Sequence, residues 1–164
     1  MANKFVIVIA GVVAAMAALV LLPGVGSQPE DLQDLSIEYT RQNLTRIEDG
    51  RLVATVTEDL VIRNDRSATY RNLTGSDTRQ FTISSEELDG LKRLVISTGF
   101  MQVPGDDYSQ KEGLSNMTRY TLELTSGGSS KTITWVNLEA SEEAVPSIVR
   151  NIGAQLDAII GRNV

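Results

Sequence analysis

Carboxylates are the only side chains in this 164-residue chain whose type and spacing suit acid–base chemistry, because it has neither histidine nor cysteine. Their absence removes Ser-His-Asp and Cys-His nucleophile systems and the usual zinc, copper and haem sites. Adjacent carboxylates occur at Glu58-Asp59, Glu86-Glu87 and Glu142-Glu143. Glycoside hydrolysis needs two such groups about 5–10 Å apart across a cleft. Two of the pairs, however, fall where helices are expected to start, and there the helix dipole already accounts for negative charge. Asp106, Asp107 and Glu112 share a polar loop of 11 residues, Gly105–Ser115, with room for oxygen ligands around a hard cation. Their spacing lacks the order of an EF-hand loop, so no metal is expected. The same loop, with Asp106, Asp107, Tyr108 and Glu112, is instead a candidate for meeting a partner, since binding residues concentrate on loops. Gly127-Gly128-Ser129-Ser130-Lys131 lacks the spacing of a phosphate loop and falls between two strands, so it reads as a hairpin turn. No catalytic residue and no cofactor are expected.

The elements that must carry these residues show in the periodicity. From Leu35 to Thr40, Leu35, Ile37 and Tyr39 alternate with Ser36, Glu38 and Thr40, as a half-buried strand does. Leu52–Ile62, Ala68–Asn72 and Thr78–Ile83 follow, separated by turn residues, and together make an antiparallel meander. At Ser84 the period changes. Ser84 and Glu87 form an S-x-x-E capping box, Leu88, Leu91, Leu94 and Val95 keep helical spacing, and Gly99 suits the residue after the helix. Asp89 and Arg93 are spaced as an i,i+4 ion pair. Phe100, Met101 and Val103 are expected in the core. Tyr120, Leu122 and Leu124, then Ile133 and Trp135, form the two arms of a hairpin, with Trp135 facing the core beside Ile133. A last helix starts near Pro146 with one apolar stripe of Ile148, Val149, Ile152, Leu156, Ile159 and Ile160. That stripe needs a sheet face to lie on, which makes the fold α+β: about five to six antiparallel strands packed against two helices.

Ahead of this domain lies an uncharged run from Phe5 to Leu22, preceded by Lys4 alone. It includes Phe5, Ile7, Ile9, Val13, Leu19 and Leu22, and its 18 residues hold eleven Phe, Val, Ile or Leu. At about 0.3–0.6 kcal/mol each, they favour insertion by roughly 5 kcal/mol. Eighteen helical residues reach about 27 Å, close to the hydrocarbon thickness of about 30 Å. The organisation expected is an anchor at 1–27, a linker at 28–34 and a domain at 35–164, with the amino terminus cytoplasmic and the domain extracytoplasmic. The alternative is a cleaved signal and a secreted domain, which would explain Pro23-Gly24 and the small residues Val25 and Ser27 before Gln28. Three N-x-[ST] triplets, at Asn43, Asn72 and Asn116, are candidate N-glycosylation sites and agree with an outside location.

Leaving out Lys4, the part beyond the run carries fourteen basic and 21 acidic residues, a net charge of −7. An acidic domain without a basic stripe is a poor match for nucleic acid, whose affinity comes largely from neutralised phosphates.

The stretches TRQFTISSEELDGLKRLVISTGF, YTLELTSGGSSKTITW and VPSIVRNIGAQLDAII, within residues 78–160, resemble the emfourin-type domains. Shared features are the S-x-E-E-L helix start, an aromatic after the helix, the Tyr-x-Leu-x-Leu strand, the Gly-Gly turn and a Pro-initiated closing helix. Those domains begin with a glycine-rich strand pair, whereas Val61–Tyr70 here has no glycine. The resemblance implies an α+β fold and, as the alternative function, a peptidase-inhibitor-like domain. The primary expectation is a single-pass, membrane-anchored, non-catalytic binding module or accessory subunit, with the bilayer and another membrane or extracytoplasmic protein as its partners.

Overall fold

The computed structural model describes residues 34–164. The expected anchor at 1–27 and nearly all of the linker at 28–34 lie outside them. Among the described residues no helix is long and apolar enough to cross a membrane.

Six strands form one antiparallel sheet: β1 (Ser36–Arg46), β2 (Leu52–Ile62), β3 (Ser67–Asn72), β4 (Asp77–Thr82), β5 (Asn116–Ser126) and β6 (Ser129–Val136). Their order in the sheet is β4-β3-β2-β1-β5-β6. The first four make the expected meander, and the β5–β6 hairpin joins at the free side of β1. The first strand in the chain therefore lies inside the sheet. Gly127 and Gly128 close the hairpin with φ of 56° and 80°, the pair of left-handed residues that matches the twist of a tight two-residue turn.

Two helices, α1 (Ser85–Thr98) and α2 (Ser147–Asn163), cover one face of this sheet. The capping box at the start of α1 forms as its spacing predicts: the Glu87 N–H donates to Ser84 Oγ, and the Ser84 N–H donates to the Glu87 carboxylate. Gly99 ends the helix in the left-handed region, where its N–H reaches the Ile96 and Val95 carbonyls. Val149, Ile152, Leu156, Ile159 and Ile160 of α2 are buried with Leu88, Leu91 and Val95 of α1 against Ile37, Leu60, Leu122 and Ile133. α2 lies diagonally on the sheet, with Gly153 against Trp135 of β6 and the Val164 carbonyl accepting from Arg79 of β4. Phe100 and Val103 enter the core as expected, and Met101 packs at its margin.

Three details differ from the sequence reading. β1 does not stop at Thr40, where the apolar alternation fades, but runs to Arg46, because a central strand bonds on both sides whatever its side chains. Asp89 and Arg93 do not pair; Glu87 pairs with Arg162 instead and so ties α1 to α2. Glu142 and Glu143 lie in the loop before α2, whose first turn carries no acidic residue, so the helix dipole does not explain them.

Candidate functional site

Successive residues of a strand point to opposite faces, so Glu58 and Asp59 cannot serve one site. Asp59 turns to the outer face, where it is buried, pairs with Arg71 and accepts from Thr40 Oγ1. Glu58 turns to the helix-covered face and stands in register with Arg41, which stands opposite Tyr120, which stands opposite Trp135. One rung of the sheet thus reads Glu58, Arg41, Tyr120, Trp135 across four strands.

Tyr39, one step along β1 towards the core, completes an aromatic cluster. Its ring lies 6.2 Å from Tyr120 and 6.3 Å from Trp135, and Tyr120 lies 5.2 Å from Trp135, with all three planes within 28° of parallel. Such stacked pairs add about 0.5–1.5 kcal/mol beyond the area they bury. Above them α2 brings Gly153 and Asp157. A Cβ on Gly153 would stand 2.9 Å from Trp135 Cζ2, so this close helix–sheet approach requires glycine.

Charge in the cluster is organised around Arg41. Its Nε and Nη2 donate to Glu58 Oε2 at 2.7 and 2.5 Å, and its Nη1 donates to Asp157 Oδ1 at 3.2 Å. Tyr39 Oη also donates to Asp157 Oδ1, at 3.1 Å, and Tyr70 Oη donates to Glu58 Oε1, at 2.7 Å. Two carboxylates therefore share one guanidinium. Burial raises the Asp157 pKa above the usual carboxylate value and outweighs the opposing pull of Arg41. Burial, with Asp157 beside it, pushes the Tyr39 phenol far above its ordinary value. Burial and the bond to Glu58 push Tyr70 up to about 12. Both phenols stay protonated donors at neutral pH.

A cleft of about 410 Å³ opens beside this cluster, between α2 and the ends of β5 and β6. The half-buried Tyr120 and the buried Tyr39 and Trp135 form its floor, with Val136 beside them at the end of β6; Arg150, Gly153, Ala154 and Asp157 form the α2 wall; Asn137, Leu138 and Glu139 form the rim. The four α2 positions follow i, i+3, i+4, i+7 spacing, one helix face, with the small residues in the middle leaving the space. Leu138 is 60% exposed, a large apolar side chain at the mouth of an apolar cleft. The arrangement offers the partly exposed ring of Tyr120, apolar side chains and a carboxylate with one long contact to Arg41. It is suited to binding.

The residues singled out from sequence fall elsewhere. Asp106, Asp107 and Glu112 are exposed, but Tyr108 is buried, with its Oη donating to the Pro104 carbonyl at 2.8 Å. The loop is fastened to the edge of the sheet. The Tyr108 N–H donates to Thr134 O at 2.9 Å, the Thr134 N–H donates to Asp106 O at 2.8 Å, and Asp106 pairs with Lys131. Tyr108 is therefore not displayed to a partner, and the loop closes the β6 edge rather than projecting from it. Among the described residues no three acidic side chains converge as cation ligands. Asn43 and Asn116 are exposed on β1 and β5, whereas Asn72 is half-buried and its Oδ1 accepts from the N–H groups of Thr74 and Gly75 in a turn.

Sequence reading placed Trp135 correctly in the core but missed Arg41, Glu58 and Asp157 as a unit. The signal for Asp157 was present: a carboxylate beside Leu156 at the border of an otherwise apolar stripe. No protein-family model matches this chain, and no curated protein is significantly similar to it.

Proposed function

We propose that this protein is a non-catalytic binding module, held at a membrane by its amino-terminal apolar run, which engages another membrane or extracytoplasmic protein as an accessory subunit. The observation that carries the reading is the cleft between α2 and β5–β6, with its aromatic floor and the exposed Leu138 at its mouth. Concave, mostly apolar sites with a few placed polar groups are the usual form of a binding site. Anchoring would raise the domain's effective concentration against neighbours in the same membrane.

The test is recovery of partners from native membranes in mild detergent, with the full chain tagged at its carboxyl terminus. Ala154→Trp is the decisive variant, because Ala154 is exposed on the cleft wall and a large ring there fills the space without entering the core. A stoichiometric membrane protein recovered with the wild type and lost with the filled cleft supports the reading. Equal recovery with both would overturn it.

A further inference from the structure

Resting on that reading, we infer that the cleft accepts a basic side chain, lysine or arginine, from the partner polypeptide, with its aliphatic stem along Tyr120 and Trp135 and its cation at Asp157. Three observations converge. The first is the charge count around Arg41. Glu58 takes two of the guanidinium's contacts at 2.5 and 2.7 Å and leaves Asp157 a single one at 3.2 Å, so Asp157 is the less fully paired carboxylate of the two. The second is its geometry. Both bonds that Asp157 accepts from the described residues end on Oδ1, none of them reaches Oδ2, and the residue lines the cleft. A cation is the group that would use that oxygen. The third is the floor, where the half-buried ring of Tyr120 can attract a cation while the methylene stem of a long basic side chain lies along apolar surface.

The other charges in the cleft fit the same occupant. Glu139 sits on the rim, without an ion-pair partner among the described residues. Arg150, which has no ion-pair partner among the described residues, lies two helical turns from Asp157, about 10 Å along the axis. At that distance it repels a cation weakly and is free to meet a carbonyl or carboxylate of the incoming chain. The two ends of the α2 wall thus carry opposite charge and give the occupant a direction. The domain at 35–164 carries 14 basic and 18 acidic residues, a net charge of −4, which would draw a basic partner segment towards it.

Trp135 is the only tryptophan of the chain and lies in the cleft floor, so its fluorescence reports occupancy directly. The experiment titrates the full chain in detergent with the peptide acetyl-Gly-Lys-Gly-amide, and in parallel with the norleucine and glutamate analogues. The wild-type protein should bind the lysine peptide about tenfold more tightly than the norleucine peptide, as expected for a charge-assisted contact. The glutamate peptide should bind least. Asp157→Asn should erase the lysine preference while leaving norleucine binding in place. Because the central comparison varies only the peptide, it does not depend on that variant folding normally. Equal affinity for lysine and norleucine, or no saturable response to the lysine peptide at millimolar concentration, would overturn the inference. A membrane partner still lost with Ala154→Trp but unaffected by Asp157→Asn would reject the cation alone, whereas a partner retained by both variants would reject the cleft itself.

Discussion

Three glycines lie inside helices, and the structure assigns them different responses to alanine. In a helix interior the replacement gains propensity of about 0.8–1 kcal/mol, and less in a final turn. At Gly90 of α1 the added Cβ would meet only Gln155 Nε2, at 3.2 Å, the far end of a flexible side chain. At Gly161 nothing lies within 4 Å. At Gly153 the Cβ would stand 2.9 Å from the Trp135 ring and 3.8 Å from Tyr39 Oη. The indole cannot yield, because Tyr120 is stacked on it. Overpacking of this kind costs about 1–3 kcal/mol. Gly90→Ala should therefore stabilise by up to about 1 kcal/mol, Gly161→Ala by about half that in a final turn, and Gly153→Ala should destabilise by about 1 kcal/mol. Equilibrium urea unfolding followed by circular dichroism measures all three. The spread of about 2 kcal/mol between Gly90→Ala and Gly153→Ala corresponds to several degrees in Tm for a domain of this size. Trp135 emission should change only in Gly153→Ala. If that variant instead gains stability as Gly90→Ala does, α2 does not approach the sheet closely at Trp135, and the cleft as described is wrong.

Ser84→Ala should cost about 1 kcal/mol in the same unfolding assay by removing one arm of the capping box. Glu87 is held below the usual glutamate pKa chiefly by the Ser84 backbone N–H, with Arg162 adding to it. Its contribution is present above the unfolded-state pKa and lost as pH falls through the folded one, so Glu87→Gln should cost less in acid than at neutral pH. Asp157 has the opposite sign: its folded pKa is raised from 3.8, so the ionised form opposes folding and the associated stability is lost as pH rises from that value through the folded pKa. Asp157→Asn should accordingly remove this part of the slope in a stability-versus-pH series, and an unchanged slope would show that Asp157 is not desolvated. Arg41→Ala should destabilise by about 2 kcal/mol, less than the loss for a fully buried pair because Arg41 and Asp157 are partly exposed. Arg41→Lys should recover only part of that, since an ammonium cannot make the forked contact to Glu58.

Much of this architecture is local and was readable without coordinates. The capping box at Ser84 and Glu87, the left-handed Gly99 and the Gly127-Gly128 turn are contacts between residues at most four apart, so their chemistry appears in the order of the letters. The stripe from Val149 to Ile160 likewise announced a helix lying on a sheet, because a face that wide cannot remain in water. Neither the placement of the β5–β6 hairpin beside β1 nor the cleft could be read in this way. Arg41 meets Glu58 seventeen residues away and Asp157 one hundred and sixteen away, and Tyr39 reaches Asp157 across one hundred and eighteen. No periodicity encodes such pairings. They follow from which sheet edge the hairpin joins and from the diagonal along which α2 settles, and both depend on burying the greatest apolar area in one core. Adjacent carboxylates drew attention in the sequence because they are neighbours there, yet strand alternation sends Glu58 and Asp59 to opposite faces. The group that Glu58 does work with was assembled by packing alone.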